Sequence, residues 1–259
     1  MEDSEDSVDP PAAPAAGYHD LHAHLIAGVD DGAESVEESH AMLDGLAGLG
    51  YSRVAATPHF SHPLFGSPPR ALVEERVADL VRERGEALPL LVPGAEIHIT
   101  EDFRDSAAAR SLPAYGQTTA HLVEFAFQPG SIPDGIEQVF FEMQVRGGIV
   151  VVAHVERYPD VQRSLQRVES LRRTAVIQVN LMSVIGKYGP RPRNATWKLL
   201  EKGLVDVLAT DLHRAADLPD VARALSEIAD WDSEQLERLV SANPSLLLDG
   251  RGSELERDE

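Results

Sequence analysis

The stretch Ile149-Val-Val-Val-Ala153, which runs directly into His154, indicates the fold class. A short β-branched run without polar interruption is typical of a strand covered on both faces, as in a parallel sheet flanked by helices. Six other apolar stretches have a similar character and are expected to form strands: Tyr18–Leu25, Arg53–His59, Leu90–Ile99, His121–Phe127, Val176–Leu181 and Val205–Thr210.

Amphipathic stretches follow most of these strands. They are the candidate helices Ser35–Leu49, Ala71–Arg84, Ile136–Val145 and Ala195–Leu200. After the third strand the pattern is weaker, and a short or irregular element is expected there. Alternation of strands with helices predicts an α/β fold built as a closed or nearly closed barrel, with an open doubly wound sheet as the alternative.

One domain is expected from a chain of 259 residues, because α/β barrels commonly use this length as a single unit. The first 16 residues combine Asp, Glu, Ser, Pro and Ala and predict a disordered acidic tail. Residues 17–249 are expected to form the folded domain, and residues 250–259 a charged C-terminal tail.

Composition excludes several classes of function. The net charge of −20 would repel a phosphate backbone, so we expect no nucleic-acid partner. Cysteine is absent, which rules out disulfides, thiolate metal ligands and every phosphatase mechanism that passes through a phosphocysteine. The sequence shows neither a secretory signal nor an apolar run long enough to span a bilayer, and we therefore expect a cytoplasmic protein without membrane insertion.

Metal-ligating residue types gather where the candidate strands end. The carboxyl ends of parallel barrel strands meet on one face, and barrel active sites are built there. Buried carboxylates and imidazoles are costly unless they are paired or bound to metal, so convergence from six strands indicates a metal site. The candidate ligands are His22, His24, Asp31, His59, Glu96, Glu124, His154, Asp211 and His213.

The spacing of these residues supports shared ligation. His22 and His24 lie two positions apart on one strand, so both imidazoles point to the same face. A ligand set of nitrogen and oxygen without sulfur suits Mn²⁺, Fe²⁺ or Zn²⁺. Because the candidates outnumber what one ion needs, we expect two to three divalent metals, with Mn²⁺ foremost.

Seven short motifs together resemble a known superfamily. They are Asp20-Leu-His-Ala-His24, Gly28-Val-Asp-Asp-Gly32, Ala56-Thr-Pro-His59, Gly94-Ala-Glu96, Ala153-His-Val-Glu-Arg-Tyr158, Gly186-Lys-Tyr-Gly189 and Ala209-Thr-Asp-Leu-His213. Their order resembles the PHP (polymerase and histidinol phosphatase) superfamily, and within it the bacterial capsular-polysaccharide tyrosine-protein phosphatases of the CpsB/YwqE type. The resemblance runs from Tyr18 to Pro219 and implies a distorted (β/α)7 TIM-like barrel of PHP type.

The resemblance also implies how the ligands are grouped around three metals. The first metal would be held by His22, His24, Glu96 and Asp211, with Glu96 bridging to the second. The second would be completed by Glu124 and His154. The third would be held by Asp31, His59 and His213.

Substrate contacts are implied less completely. Arg157 matches the family arginine that contacts the substrate phosphate. The family usually has an Arg-Pro shortly after its Asp-x-His motif, whereas this chain has Leu218-Pro219, so a second phosphate-binding arginine is in doubt. Arg214 is the candidate substitute, and Lys187, in the basic loop 187–193, is a further candidate for attracting an anionic substrate.

The predicted function is a metal-dependent phosphoesterase. The resemblance implies a tyrosine-protein phosphatase that acts on a phosphotyrosyl protein, a bacterial tyrosine autokinase that regulates capsule or exopolysaccharide synthesis. His59 or Asp211, if free enough, would protonate the leaving group, and Arg157 would neutralise phosphoryl charge. The alternatives are a small-molecule phosphatase, such as histidinol phosphatase, and a metal-binding regulatory module with degraded activity.

The other histidines, His19, His40, His62, His98 and His121, are expected to be structural or exposed. His62 is the exception to watch, because it lies in the loop after a strand that bears a ligand. Asp20 and Asp30 are expected to orient ligands as hydrogen-bond acceptors, although ordinary polarity of strand ends and loops explains them almost as well.

Overall fold

The computed structural model describes residues 16–85, 87, 89–108, 110–128, 130 and 132–257. The predicted acidic tail lies outside the described residues except for Ala16. Within residues 250–257, the predicted charged tail carries a one-turn 3-10 helix, Gly252–Glu254. There the Arg257 guanidinium donates hydrogen bonds to the backbone oxygens of Arg172 and Ala175.

Parallel strands form the centre of the protein. They are β1 (Tyr18–Ala23), β2 (Tyr51–Ala56), β3 (His59–Phe60), β4 (Leu90–Pro93), β5 (Glu96–His98), β6 (Ala120–Glu124), β7 (Ile149–Val152), β8 (Val176–Asn180) and β9 (Val207–Ala209). Every pairing between these strands is parallel, and each predicted strand overlaps at least one of them.

Hydrogen bonding divides the strands into two sheets, with the orders β1-β2-β4 and β3-β5-β6-β7-β8-β9. Two predicted strands are interrupted, one by Thr57-Pro58 and the other by Gly94-Ala95. Proline has no N–H to donate to a ladder, so the pairing cannot pass through Pro58 unchanged. The coarse expectation of an α/β fold with parallel strands is confirmed, whereas a single closed barrel ladder is not what the hydrogen bonds show.

The two sheets nevertheless meet beyond β1 and β9. The backbone N–H of His24 donates to the oxygen of Leu212 at 2.9 Å, and that of Asp211 donates to the oxygen of His22 at 2.8 Å. Ala23 and Leu212 form an isolated parallel bridge at the same place. These contacts bring the first and last strand ends together, which positions the ligands of both sheets on one face.

Helices cover the strands. In chain order they are α1 (Val36–Gly48), α2 (Arg70–Arg84), α3 (Phe103–Ala108), α4 (Ile136–Val145), α5 (Pro159–Arg163), α6 (Gln166–Leu171), α7 (Pro190–Glu201), α8 (Leu218–Trp231), α9 (Ser233–Glu237) and α10 (Asn243–Leu248). The Ser35 hydroxyl caps α1 by accepting a hydrogen bond from the Glu38 N–H, and Pro190 opens α7, where its missing N–H costs nothing. Among the described residues, no helix combines the length and apolar character needed to cross a bilayer.

Candidate active site

The strand ends bring all nine candidate ligands into one cluster. Seven of these side chains are almost inaccessible to solvent: His22, His24, His59, Glu96, Glu124, His154 and Asp211. Asp31 is exposed and His213 half-buried, and both lie at the outer edge of the cluster. Burial of so many ionisable groups in one place is favourable only if their charges are mutually satisfied or offset by cations.

Four ligand atoms lie close together at the centre, in an arrangement that we call the cage. Nε2 of His22 lies 3.1 Å from Nε2 of His24, 3.3 Å from Oε2 of Glu96 and 3.2 Å from Oδ1 of Asp211. Nε2 of His24 lies 3.5 Å from each of the same two carboxylate oxygens. Tetrahedral ligands at about 2.1 Å from a metal are separated by about 3.4 Å, a spacing that these five distances approach, and the ligand atoms of His22, His24 and Asp211 are close enough to share one ion.

Two further groups of donors adjoin the cage. Nε2 of His154 lies 2.7 Å from Oε1 of Glu96 and 3.9 Å from Oε2 of Glu124, so Glu96 presents one oxygen to each of two groups. At the outer edge, Oδ1 of Asp31 lies 3.4 Å from Nε2 of both His59 and His213. His24 is also within reach of this outer group, so proximity alone does not assign it to one ion.

His62 joins the cluster, although sequence analysis favours a structural role for it. Its ring stacks on His59, with the centroids 4.5 Å apart, and one of its nitrogens could share a metal with His59 and Glu124. Its position in the loop after a strand that bears a ligand was the signal that could have found it. His98 lies close by, with Nδ1 3.2 Å from Oε1 of Glu124.

Two of the candidate ligands have a strained backbone. His154 has φ of 35° and Asp211 has φ of 53°, in the left-handed region that non-glycine residues rarely occupy. Such conformations cost about 1–3 kcal/mol each and persist where the surrounding structure enforces them, typically at functional sites. Here they turn each side chain from its strand end towards the shared cluster.

Hydrogen bonds to residues outside the ligand set orient several of the candidate ligands. Oδ2 of Asp30 lies 2.7 Å from Nδ1 of His24, as the sequence suggested, and this contact leaves Nε2 of His24 to face the cage. The Gln178 amide oxygen is 3.2 Å from Nδ1 of His22, and Asn180 donates to Oδ2 of Asp211 at 2.6 Å. Gln178 was not predicted from the sequence, although it lies two residues before Asn180 and therefore on the same strand face.

Asp20 has a different role from Asp30. It is fully buried and accepts hydrogen bonds from the hydroxyl and the N–H of Thr210, at 2.5 and 3.0 Å. Burial raises the pKa of Asp20 to about 6, against the effect of these hydrogen bonds. Asp20 therefore ties β1 to the residues after β9 and supports Asp211 through the backbone.

The electrostatics of the cluster favour bound cations. Burial alone would raise the pKa of Asp211 and Glu96, but the neighbouring imidazoles, His22 foremost, hold both well below their usual range. Burial would lower the pKa of His59, yet its hydrogen bonds to Asp31 and other carboxylates raise it to about 11. The carboxylates are thus ionised and attract positive charge, and a metal that binds here must displace protons from the imidazoles.

A cavity of about 320 Å³ opens over the cluster. Its walls include Phe65, Phe127 and Tyr188, together with Arg157. The Arg157 guanidinium carbon lies 4.3 Å from the centroid of Phe127 and 4.5 Å from that of Tyr188, and Nη1 donates to Oδ2 of Asp211 at 3.1 Å. The structure therefore holds this cation beside the candidate ligands and between aromatic walls, which sequence analysis did not foresee.

The other two candidate substrate contacts have partners elsewhere. The Lys187 ammonium group donates to Asp217 and Asp220 at 2.7 and 2.6 Å. Arg214 donates to the backbone oxygens of Asp31 and Gly32 and forms an ion pair with Glu34. Neither lines the cavity over the cluster, and Arg214 secures the loop that carries Asp31.

Gly32→Ala should disturb the metal cluster without replacing a candidate ligand. A Cβ at Gly32 would lie closer than 3.0 Å to the carbonyl oxygen and Cβ of His24, so the loop carrying Asp31 must shift. Overpacking of this kind costs about 1–3 kcal/mol. We expect a lower thermal midpoint and reduced metal content, measured by calorimetry and elemental analysis. Gly48→Ala, where a Cβ meets open space, is the matched control, and equal behaviour of the two variants would contradict the prediction.

Comparison with known proteins agrees with this architecture. Residues 18–249 match the model of a family described as capsular polysaccharide synthesis, CpsB/CapC. The tyrosine-protein phosphatase YwqE of Bacillus subtilis is 29% identical over 234 residues, which cover 88% of this chain and 91% of that protein. The tyrosine-protein phosphatase CpsB of Streptococcus pneumoniae is 26% identical and covers 88% of this chain and 97% of its own length.

A solved structure is similar over almost the whole chain. It comes from work on YwqE from Bacillus subtilis and CpsB from Streptococcus pneumoniae, described as unique metal-dependent tyrosine phosphatases. It has a TM-score of 0.82 at 26% identity and covers 93% of this chain and 97% of its own. A dihydropyrimidinase from Brevibacillus agri shares only the fold, with a TM-score of 0.50, 10% identity, and coverage of 91% of this chain and 71% of that one.

Proposed function

The chain belongs to the CpsB/CapC family of capsular polysaccharide synthesis, and from that membership and the site geometry we propose that it is a metal-dependent tyrosine-protein phosphatase. The observation that carries the proposal is the four-atom cage of His22, His24, Glu96 and Asp211, with Arg157 held beside it between aromatic rings. A ligand cage explains metal dependence, and an aromatic-walled cavity suits an aryl phosphate.

The residues present fit two to three divalent ions, with Mn²⁺ foremost and Fe²⁺ or Zn²⁺ as alternatives. All the donors are nitrogen or oxygen, as these ions accept. Nε2 of His154 lies 2.7 Å from Oε1 of Glu96, and an ion bound by both would replace this direct contact between imidazole and carboxylate. The proposed ligands are His22, His24, Glu96 and Asp211 for the first ion, Glu96, Glu124 and His154 for the second, and Asp31, His59 and His213 for the third.

Bound divalent ions would lower the pKa of water and offset charge on a phosphate. Arg157 would pair its planar guanidinium with phosphoryl oxygens, and Phe127 and Tyr188, which pack on it, would keep it in that orientation. The two residues predicted to protonate the leaving group, His59 and Asp211, both line the cavity, and both nitrogens of His59 and both oxygens of Asp211 contact neighbouring groups. A tyrosyl phenoxide needs little protonation, since its conjugate acid has a pKa of about 10.

The finer description of the fold is part of the same proposal. The interrupted pairs β2/β3 and β4/β5 each occupy one position in the order of strands, which leaves seven positions around the centre. Contact between β1 and the residues after β9 closes this order, as a distorted (β/α)7 barrel of PHP type requires.

The proposed substrate is a phosphotyrosyl protein in the cytoplasm, a tyrosine autokinase that regulates polysaccharide synthesis. A small-molecule phosphatase such as histidinol phosphatase is the competing function, because Leu218 stands where a second phosphate-binding arginine is expected. The cavity supports the protein substrate, since it opens to solvent beside the exposed Leu64. A small substrate is usually enclosed by its pocket.

The test is a comparison of catalytic efficiency at equal metal loading. We expect kcat/KM on a phosphotyrosyl peptide to exceed that on a phosphoseryl peptide and on histidinol phosphate by at least about tenfold, because an aryl leaving group is favoured and aromatic walls surround it. A tenfold preference for histidinol phosphate would contradict the protein-phosphatase proposal and leave the metal site untouched. Absence of turnover on all three in a metal-replete sample would favour the regulatory module.

A further inference from the structure

A second cavity, of about 510 Å³, lies on the surface between α5 and the first turns of α7. Three basic side chains line it, Arg163, Arg191 and Lys198, and they define what we call the basic groove. None of the lining residues is acidic. In a chain with 43 acidic and 23 basic residues, a cavity with this lining is a local reversal of the surface charge.

The positive charge of the basic groove is only partly neutralised. Arg163 forms an ion pair with Asp160, three residues before it. Arg191 and Lys198 are exposed. Neither side chain has a hydrogen bond or an ion pair to any residue that the structure describes. The basic loop 187–193 is thus divided, because Lys187 and Arg193 are paired with acidic residues and Arg191 alone is left to face the groove.

The walls of the basic groove are continuous with those of the active-site cavity. Arg157 lines that cavity, and α5 begins two residues later at Pro159. Tyr188 lines the opposite side, and Arg191 follows three residues later in α7. Consecutive Cα atoms are about 3.8 Å apart, so at most about 11 Å of chain separates the two linings on either side.

One side chain joins the two cavities directly. Gln162 lines the basic groove, and its amide nitrogen donates to the carbonyl oxygens of Glu156 and Arg157 at 3.0 and 3.2 Å. A ligand that contacts Gln162 in the groove would therefore be separated by that side chain alone from the backbone of Arg157, the arginine proposed to hold the phosphate.

We propose that the basic groove binds an acidic segment of the substrate, a few residues along the chain from the phosphotyrosine. An extended peptide rises about 3.3 Å per residue, so carboxylates three to five positions from the phosphotyrosine reach the groove. The net charge of −20 opposes the approach of such a segment, and the groove supplies, next to the active-site cavity, the favourable local field that a negatively charged partner requires. This inference rests on the proposed function and adds a preference for acidic sequence around the phosphotyrosine.

Three substrates distinguish an effect of the groove on peptide binding from an effect on the catalytic step. They are para-nitrophenyl phosphate, a phosphotyrosyl nonapeptide with Asp and Glu three to four positions on either side of the phosphotyrosine, and the same peptide with Asn and Gln there. The variant to test is Arg191→Gln with Lys198→Gln, because neither residue contacts the metal cluster. The matched control is Lys202→Gln with Arg223→Gln, which removes the same charge from exposed positions outside both cavities.

The groove variant should raise KM for the acidic peptide by about fivefold, the scale expected from two partly exposed charge contacts. Turnover of para-nitrophenyl phosphate and of the neutral peptide should stay within about twofold, because their binding uses the active-site cavity alone. Added salt should weaken the wild-type preference for the acidic peptide, since exposed charges are screened. The inference is overturned if the wild-type enzyme treats both peptides alike, or if the control variant loses as much as the groove variant.

Failure of the proposed function would look different. In that case none of the three substrates would be turned over. Fluorescence anisotropy with the labelled acidic peptide would still show whether the groove binds an acidic segment. Binding to the wild-type protein about fivefold tighter than to the groove variant supports the groove, and equal binding rejects it.

Discussion

Glu96→Ala is expected to lower kcat/KM on para-nitrophenyl phosphate by at least about a thousandfold, equivalent to about 4 kcal/mol of transition-state stabilisation. Its two oxygens face different groups: Oε2 lies 3.3 Å from Nε2 of His22, and Oε1 lies 2.7 Å from Nε2 of His154. Removing a carboxylate that serves two proposed ions leaves both poorly held. Glu124 also faces two groups, but at longer range, with Oε1 3.5 Å from Nδ1 of His59 and Oε2 3.9 Å from Nε2 of His154. Oδ2 of Asp211 is occupied by Arg157 and Asn180.

Metal content decides whether this loss has the proposed cause. We expect Glu96→Ala to contain at least about one divalent ion fewer per chain than the wild-type protein, and chelation of the wild-type protein to abolish activity until Mn²⁺ is restored. Glu101→Ala is the matched control, because Glu101 is exposed and lies in the loop after the same strand. Iodoacetamide should have no effect, as the chain contains no cysteine. Full activity and metal content in Glu96→Ala would refute the three-metal assignment.

The family prediction from seven short motifs is confirmed, and much of the fold followed from residue patterns. Every predicted strand and helix overlaps an observed one, because apolar runs and helical periodicity are local signals. The interruptions at Pro58 and Gly94 were not foreseen, since pairing partners are a property of the whole sheet. α8 was also missed, although Val221, Leu225 and Ile228 are buried along one face at helical spacing.

The candidate site was predictable in its donors but not in its surroundings. Strand-end position identified residues such as His154 and Asp211, and their convergence follows from parallel topology. The left-handed backbone that aims both side chains depends on tertiary contacts and leaves no signal in a single sequence. The pairing of Phe127 with Tyr188 around Arg157 joins segments about sixty residues apart in the chain, which no local pattern reveals.

Arg157→Ala is the second large effect, with an expected fall in kcat of about a hundredfold, or about 2.7 kcal/mol. The guanidinium is held between Phe127 and Tyr188, so it is already oriented towards the cavity before substrate binds. Removal of a contact that strengthens as charge develops on the phosphoryl oxygens lowers kcat more than it raises KM. Arg157→Lys keeps the charge but loses the planar fork, and we expect it to recover about tenfold of the loss.

The contact between Arg157 and Asp211 supplies the competing explanation, because the arginine could act by orienting a proposed metal ligand. Asp211 also accepts a hydrogen bond from Asn180 at 2.6 Å, which should hold its carboxylate in place after the arginine is removed. Metal content and thermal midpoint of Arg157→Ala are therefore expected to match the wild-type protein. Asn180→Ala should reduce metal content, because it also removes the acceptor of Gln178, the residue that orients His22. If Arg157→Ala instead loses metal in proportion to activity, the arginine positions Asp211 and does not bind the phosphate. If it retains both metal and full activity, it serves neither role.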